Sequence, residues 1–394
     1  MNTPRNLTQK LGSWSARNRN RFAGGILVLA VAGTLAAASG CATEENLEDA
    51  ANDVEAGLLQ DQLDAVVEGG APGAVLFVKD PNSDPIELSA GLSDAKAKTA
   101  MDVEDVTRIG SLTKPYVAAL VLDLVEEGAL ALDDTVDDLV PGLLPDGDSI
   151  TVRDLLGHRS GLYEYSEDPR VLRPYLDGDF AYEWAPEDLV DVAAGHGPQS
   201  EPGADVLYSN TNYTVLGLIV ERVTGNDLGD ELDARIFEPL GLDDTSFETD
   251  TRLPVPHANG YLIGEGKAQD VTEISPSHYW GAGNIVSDAG DVARFYTALL
   301  EGELLNQSSL AEMTSTVEET DGLDRGLGLA HGEEPCGEWY GHDGSVPGYF
   351  SVARHMEGGR QVVLLVNSVG FDDTVGAPEA QAAVADLMKS ALCR

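Results

Sequence analysis

An α+β fold is predicted by three features of the sequence. Apolar, strand-like runs stand near both ends of the chain, at 74–78 and 86–90 and again at 348–354 and 361–367. Between them, from about 130 to 284, the pattern is mostly helical and broken by Pro and Gly. A helix follows the last strand, over 378–392. Strands supplied from both ends of a chain, with helices before, between and after, give an antiparallel sheet flanked by helices and carrying a mostly helical insertion.

The elements follow in order. Residues 1–40 have the three parts of a secretory signal: a basic region ending at Arg21 with no acid, an apolar region from Phe22 to Ala38, and the small residues Ser39 and Gly40. Cys41 comes next, and A-S-G-C resembles the lipobox of bacterial lipoproteins, which implies that Cys41 is lipidated. The expected place is then outside the cytoplasm, anchored by lipid to the bacterial cell membrane, with free secretion as the alternative. Residues 41–55 are acidic and alanine-rich with little to bury, so they read as a tether. The folded domain is expected over 56–394, opening with a short amphipathic helix from Leu58 to Val67. Ala74 to Val78 and Ile86 to Ala90 form the first two strands, with P-N-S-D-P turning the chain between them.

Next comes R-I-G-S-L-T-K-P-Y, in which Ser111 and Lys114 stand three apart at the start of a helix. Residues at i and i+3 share one face, so hydroxyl and amine lie within reach of each other. A serine needs such a neighbour to act as a nucleophile at neutral pH. S-x-x-K by itself is common and equally marks a solvated helix start. Val117, Leu120, Val121, Leu124 and Val125 bury one face of this helix and Gly128 ends it, while Pro115 is expected to distort its first turn. Further helices are expected at 150–162, 186–194, 213–223 and 288–300.

Two more groups carry chemistry. Tyr208 and Asn210 alternate across Ser209, so an extended segment points both into one cleft, the phenol as a base and the amide as a hydrogen-bonding group. Gly341-His342-Asp343-Gly344-Ser345 precedes the strand-like Y-F-S-V-A-R, where glycine allows close approach to a strand edge and an edge N–H suits an oxyanion. Trp280, in H-Y-W-G-A-G, is a candidate for the cleft lining or for the core. The histidines lack metal-ligand spacing, so neither metal nor cofactor is expected.

Charge sets further limits. Lys+Arg 24 against Asp+Glu 68 gives a formal net charge of −44. Such a surface repels nucleic acid and stays soluble in strong salt, which makes a saline habitat a hypothesis. With Cys41 spent on lipid, Cys336 and Cys393 are left as a pair in a compartment that permits disulfides, and are expected to be bridged.

Taken in order, Ser111-Leu112-Thr113-Lys114, Tyr208-Ser209-Asn210 and His342-Asp343-Gly344 resemble the three motifs of the penicillin-binding serine hydrolases related to class C β-lactamases. The resemblance is closest to the secreted serine D-alanyl-D-alanine carboxypeptidases. It extends through I-T-V-R-D-L-L-G-H-R-S-G-L-Y, I-F-E-P-L-G-L, H-A-N-G-Y and G-H-D-G-S-V-P-G-Y. It implies a β-lactamase/transpeptidase-like fold and an acyl-enzyme made on Ser111, with Lys114 as its hydrogen-bonded cation. Tyr208 would take the serine proton and return it to the leaving group. Asn210 would hold the substrate amide, His342 would supply the polar group of the third motif, and the N–H groups of Ser111 and Ser345 would form the oxyanion hole. Substrates would be D-alanyl peptides or related amides and esters, with esterase, β-lactamase and D-aminopeptidase activities as alternatives on the same scaffold. A non-catalytic protein that binds cell-wall peptide would lie in a different class. A monomer is expected. The match departs at Asp343, where such carboxypeptidases carry a hydroxyl, and at Ala330, which falls where they carry an arginine. An ionised Asp343 is expected to repel a substrate carboxylate unless it is turned away, protonated or paired.

Overall fold

The computed structural model describes residues 44–264, 267–318, 323–370 and 375–393. Residues 1–43, with the expected signal segment and Cys41, lie outside them.

Among the described residues, nine antiparallel strands form the main sheet. They are β1 (Gly73–Lys79), β2 (Ile86–Asp94), β3 (Thr99–Ala100), β4 (Val317–Glu318), β5 (Asp324–Arg325), β6 (Ala330–Glu334), β7 (Gly337–Val346), β8 (Tyr349–Met356) and β9 (Gln361–Val366). Their spatial order is β3-β2-β1-β9-β8-β7-β6-β5-β4. The two ends of the chain meet at the centre, where β1 pairs with β9 in a register that sets Ala74 opposite Val366 and Phe77 opposite Val363.

Both faces of this centre are covered, which explains why β9 is apolar from Val362 to Val366 and buried at every residue. Strand side chains alternate between faces. Leu76, Val78, Val362 and Leu364 therefore pack with α1 (Glu44–Glu68) and the closing helix, whereas Val75, Phe77, Val363 and Leu365 join the larger core around α2 (Thr113–Glu126). α2 is buried almost all round, from Thr113 through Leu122.

The first helix is longer than expected. It begins at Glu44, so the acidic stretch read as a tether through Glu55 is helical, and Glu55 belongs to the folded body. Arg360, 8% exposed along its side chain, pairs with Glu55 at 2.5 Å and Asp80 at 2.8 Å and donates through Nε to the Ala391 carbonyl at 2.6 Å. Those three partners lie on α1, the β1–β2 turn and the closing helix Pro378–Leu392, so one guanidinium ties the N- and C-terminal elements together. Cys336 and Cys393 are joined by a disulfide, which links the turn before β7 to the end of that same helix.

The insertion is less uniformly helical than its sequence suggests. Val152–Leu156 is a helix of five residues where a longer one was expected, followed by irregular chain. Among the described residues, two small sheets join distant segments: Thr107–Arg108 with Ile285–Ser287 and Ser246–Phe247, and Ser368–Gly370 with Tyr261–Gly264 and Lys267–Asp270. The first of these fixes the chain that leads directly to Ser111.

Candidate active site

Ser111 sits in a 3-10 turn, Gly110–Leu112, that runs into α2. The turn presses against β7. Gly110 has φ +54, and a Cβ there would lie 2.9 Å from the Ser345 nitrogen; one on Gly344 would lie 2.1 Å from the Ile109 oxygen. Ser351 Oγ donates to that same Ile109 carbonyl at 2.7 Å. The two glycines therefore let the backbones of Ser111 and Ser345 come side by side. The distortion expected from Pro115 takes the form of this tighter turn, and Pro115 itself falls where a helix has no partner for an N–H.

Lys114 follows one turn later with its side chain fully buried. Its Nζ lies 2.8 Å from Ser111 Oγ, 2.7 Å from Asn210 Oδ1 and 3.0 Å from the Ala282 carbonyl. Burial lowers its pKa to about 7; Glu164 opposes that shift and Arg325 reinforces it. As an ammonium, Lys114 donates to all three partners. As an amine, it donates to Asn210 and Ala282 and turns its lone pair to the serine hydroxyl.

Asn210 opens the helix α3 (Asn210–Thr224), and Ser209 before it is extended at φ −149, ψ 126, so Tyr208 and Asn210 both reach Lys114 as their alternation predicts. Lys114 Nζ lies 4.9 Å from the centroid of the Tyr208 ring. His158 stacks on that ring at 4.4 Å, the Arg325 guanidinium lies 5.1 Å from its centroid, and the His342 ring lies 6.1 Å away. His158 is buried and held neutral by its burial, and its Nδ1 accepts from the Ser209 N–H and the Asn212 amide, both at 3.2 Å. It thus fixes the segment that presents Tyr208.

His342 lies on β7, 4% exposed, with its pKa driven well below the usual imidazole range by burial and then by Arg325 and Lys114. Its Nδ1 donates to the Asp343 carbonyl at 2.6 Å, which leaves the Nε2 lone pair toward Arg325 Nη1 at 3.5 Å.

Two expectations change and a third is decided. Asp343 points away from His342 and Gly344, because neighbouring strand residues face opposite sides. Its Oδ1 pairs with Arg354 at 2.6 Å, so the expected repulsion is removed by both orientation and charge. A cation is also present in the cleft: Arg325 on β5 stands beside Tyr208 and His342, although Ala330 holds the position where an arginine was sought. Trp280 belongs to the larger core, the second of the two places its sequence allows, and is 8% exposed. A Cβ on Gly217 of α3 would lie 2.6 Å from its ring, and the indole lines another cavity with Leu218, Glu221 and Phe247. Its segment contributes through the backbone, since the 3-10 turn Trp280–Ala282 carries the carbonyl that holds Lys114.

Sequence reasoning missed Glu164 altogether. This half-buried carboxylate accepts from the Asn210 N–H at 2.5 Å and the Ser166 N–H at 2.9 Å. Burial raises its pKa, against the pull of those two N–H groups and of Lys114. Its only sequence signal is an acidic residue following S-G-L-Y, which predicts nothing about what it faces. Among the described residues, no group of three His, Cys, Asp or Glu side chains is gathered as a metal site requires.

The arrangement joins an activated hydroxyl to a lysine of lowered pKa, a phenol and two adjacent backbone amides, which are parts suited to acyl transfer. The family model described as Beta-lactamase matches residues 48–386. "Penicillin-binding protein 4" of Amycolatopsis lactamdurans is 31% identical over 340 residues, covering 79% of this chain and 84% of its own. A D-stereospecific amidohydrolase from Streptomyces sp. shares the fold with a TM-score of 0.77 at 34% identity, over 86% of this chain and 98% of that one. The D-amino acid amidase of Ochrobactrum anthropi SV3, complexed with D-phenylalanine, gives a TM-score of 0.77 at 29% identity over 86% and 98% of the two chains.

Proposed function

Because the chain belongs to the Beta-lactamase family of serine hydrolases, we propose that it hydrolyses amides of D-amino acids whose amino group is free, through an acyl-enzyme on Ser111. D-stereospecificity is taken from the amidohydrolase and amidase whose fold it shares. The free amino group is argued from Glu164. This carboxylate stands beside Asn210, next to the serine–lysine pair, and its negative charge would attract a substrate ammonium. An N-acylated peptide, the substrate type of a D-alanyl-D-alanine carboxypeptidase, offers no cation there.

The chemistry proceeds in two halves. Neutral Lys114 accepts the Ser111 proton as Oγ attacks the carbonyl carbon, and the amides of Ser111 and Ser345 receive the developing oxyanion. As the C–N bond breaks, the Tyr208 hydroxyl delivers a proton to the departing nitrogen and is recharged from Lys114. Water then attacks the ester by the same route in reverse and frees the acid. Asn210 keeps Lys114 aimed at the serine, and neutral His342 completes the wall opposite Tyr208.

The test compares D-alaninamide with N-acetyl-D-alaninamide. Wild type should prefer the free amine, and Glu164→Gln should lower kcat/KM for D-alaninamide by about tenfold, or about 1.4 kcal/mol, with a much smaller effect on the acetylated compound. A wild-type preference for the acetylated substrate, or an equal loss on both, would refute the amine-reading role. No acylation of Ser111 by any D-aminoacyl compound would refute the function itself.

A further inference from the structure

The cavity beside Trp280 has a volume of about 420 Å³, and Leu218 and Glu221 of α3 stand in its wall. These two residues lie about two and three helical turns beyond Asn210, so the cavity is separate from the serine cleft. Its other charged residues are Glu187, Asp227 and Asp230, and among the described residues no Lys, Arg or His lines it. Acid alone marks nothing in a chain where acids outnumber bases 68 to 24. What sets this place apart is acid joined to aromatic surface in a space of ligand size, because Phe247 and Trp280 belong to the same wall. The described carboxylates are not gathered in threes as a metal ion requires, which leaves an organic cation as the fitting guest.

Trp280 is the unusual residue of this wall. It is 8% exposed, and its backbone lies at φ +34, in the left-handed region that residues other than glycine seldom adopt. Its indole Nε1–H donates to no acceptor among the described residues, which leaves a donor for a guest in the cavity it lines. Glu221 lines the same space, and its Oε1 accepts from the Leu228 N–H at 3.1 Å. Burial raises its pKa against the pull of that N–H, and Asp227 and Glu187 add to the rise. A cation entering the cavity relieves that repulsion, and an aromatic wall adds a cation–π attraction.

The same residue is joined to the catalytic pair by two contacts. The turn Trp280–Ala282 carries the carbonyl that accepts from Lys114 Nζ at 3.0 Å. The indole packs on Gly217 of α3, and α3 begins with Asn210, whose Oδ1 accepts from the same Nζ at 2.7 Å. We propose that the cavity is an effector site for a small alkylammonium ion bearing an oxygen acceptor, and that filling it raises the reactivity of Ser111 through Lys114. A ligand favours only the arrangement to which it binds. The arrangement that forms this cavity is the one in which Ala282 and Asn210 hold Lys114 at 2.8 Å from Ser111 Oγ, so occupancy favours the active pair. The inference concerns that pair and holds whichever acyl group is its substrate.

Choline supplies both features and serves as the probe. In calorimetry at about 0.5 M NaCl, which screens the general attraction of an acidic surface, choline should bind saturably. The alcohol 3,3-dimethylbutan-1-ol has the same shape without the charge and should bind at least about tenfold more weakly. Glu221→Gln keeps an acceptor for the Leu228 N–H and should weaken choline at least about fivefold, whereas Glu164→Gln, in the serine cleft, should leave its affinity unchanged. Reactivity is read as the rate at which a fluorophosphonate labels Ser111. Saturating choline should raise that rate about threefold or more, and Glu221→Gln should label at the wild-type rate without choline and need more choline for the same rise. Failure of choline to saturate, equal binding of the alcohol, or an affinity untouched by Glu221→Gln would overturn the site. Binding as described with a labelling rate unchanged or lowered would overturn the coupling. Neither readout uses an amide, so both results stay decisive even if no D-aminoacyl compound is hydrolysed.

Discussion

Lys114 is the residue whose protonation state decides what the site does. Burial lowers its pKa to about 7, so the amine prevails above that pH and the ammonium below it. Only the amine has a lone pair for the Ser111 proton, 2.8 Å away. Accordingly kcat/KM should rise with pH and level off above about 7, and Lys114→Met should remove nearly all activity while leaving the fold intact; a profile flat from pH 5.5 to 8.5 would exclude the lysine as base. Asp343 gives the opposite kind of prediction. Paired with Arg354 at 2.6 Å on the far side of β7, it should tolerate Asp343→Thr with less than about a threefold change in kcat/KM on D-Ala-Gly, whereas a tenfold gain would restore the repulsion argument. Ser111 and Lys114 were legible in the sequence because i and i+3 on a helix meet whatever the rest of the chain does. Tyr208 and Asn210 were legible because alternation in an extended segment is equally local. Arg325 and Glu164 were not, since each reaches the cleft through strand pairing or loop packing with distant residues, and no local period records that.

Helix caps and strand runs show the same division between local and distant causes. Pro186–Ala194 has the bounds its sequence predicts, with Pro at its first position, acids in its first turn and Gly195 after it. β7 was harder to read. G-E-W-Y-G-H-D-G-S-V lacks clean alternation of apolar and polar residues, and it is a strand because β6 and β8 satisfy its backbone on both sides. The start of α1 was missed for a related reason: Glu55 is held by Arg360, which lies near the other end of the chain. One cap carries a cost that can be measured. Asp288 accepts from the Asp291 N–H at 2.7 Å at the start of the helix Ala289–Leu300, yet burial, with Asp291, Asp244 and Glu87 adding to it, raises its pKa to about 6. The folded state therefore holds this proton to a higher pH than the unfolded state does, and stability falls as pH rises from about 4 to 6 and stays reduced above. Asp288→Asn keeps an acceptor for the cap and cannot ionise. It should raise stability by about 1–2 kcal/mol at pH 8 and by little at pH 4, as measured by denaturant unfolding at the two values. A loss at pH 8 would mean that the charge on the cap outweighs its desolvation.

At the scale of the whole molecule the dominant quantity is the formal net charge of −44, carried mainly by exposed side chains over a closed core. Mutual repulsion among surface carboxylates favours expansion, and it acts over the screening length, about 10 Å at 0.1 M salt and about 3 Å at 1 M. The contacts that close the fold are of another kind. Arg360 is buried and its two carboxylates are half-buried, the disulfide joins Cys336 to Cys393, and β1 meets β9 within an apolar core, so added salt screens these less than it screens the surface. Salt should therefore remove an opposing term and leave the supporting ones in place. Tm should rise steadily between 0.1 and 2 M NaCl, and the rise should be matched by KCl at equal ionic strength, which marks it as screening rather than binding of one cation. Arg360→Gln should lower Tm by a similar amount at both salt concentrations, because the pairs it breaks are sheltered. A Tm that falls with salt, or a cost of Arg360→Gln that vanishes at 2 M, would show that exposed ion pairs rather than the closed core hold the two ends of the chain together.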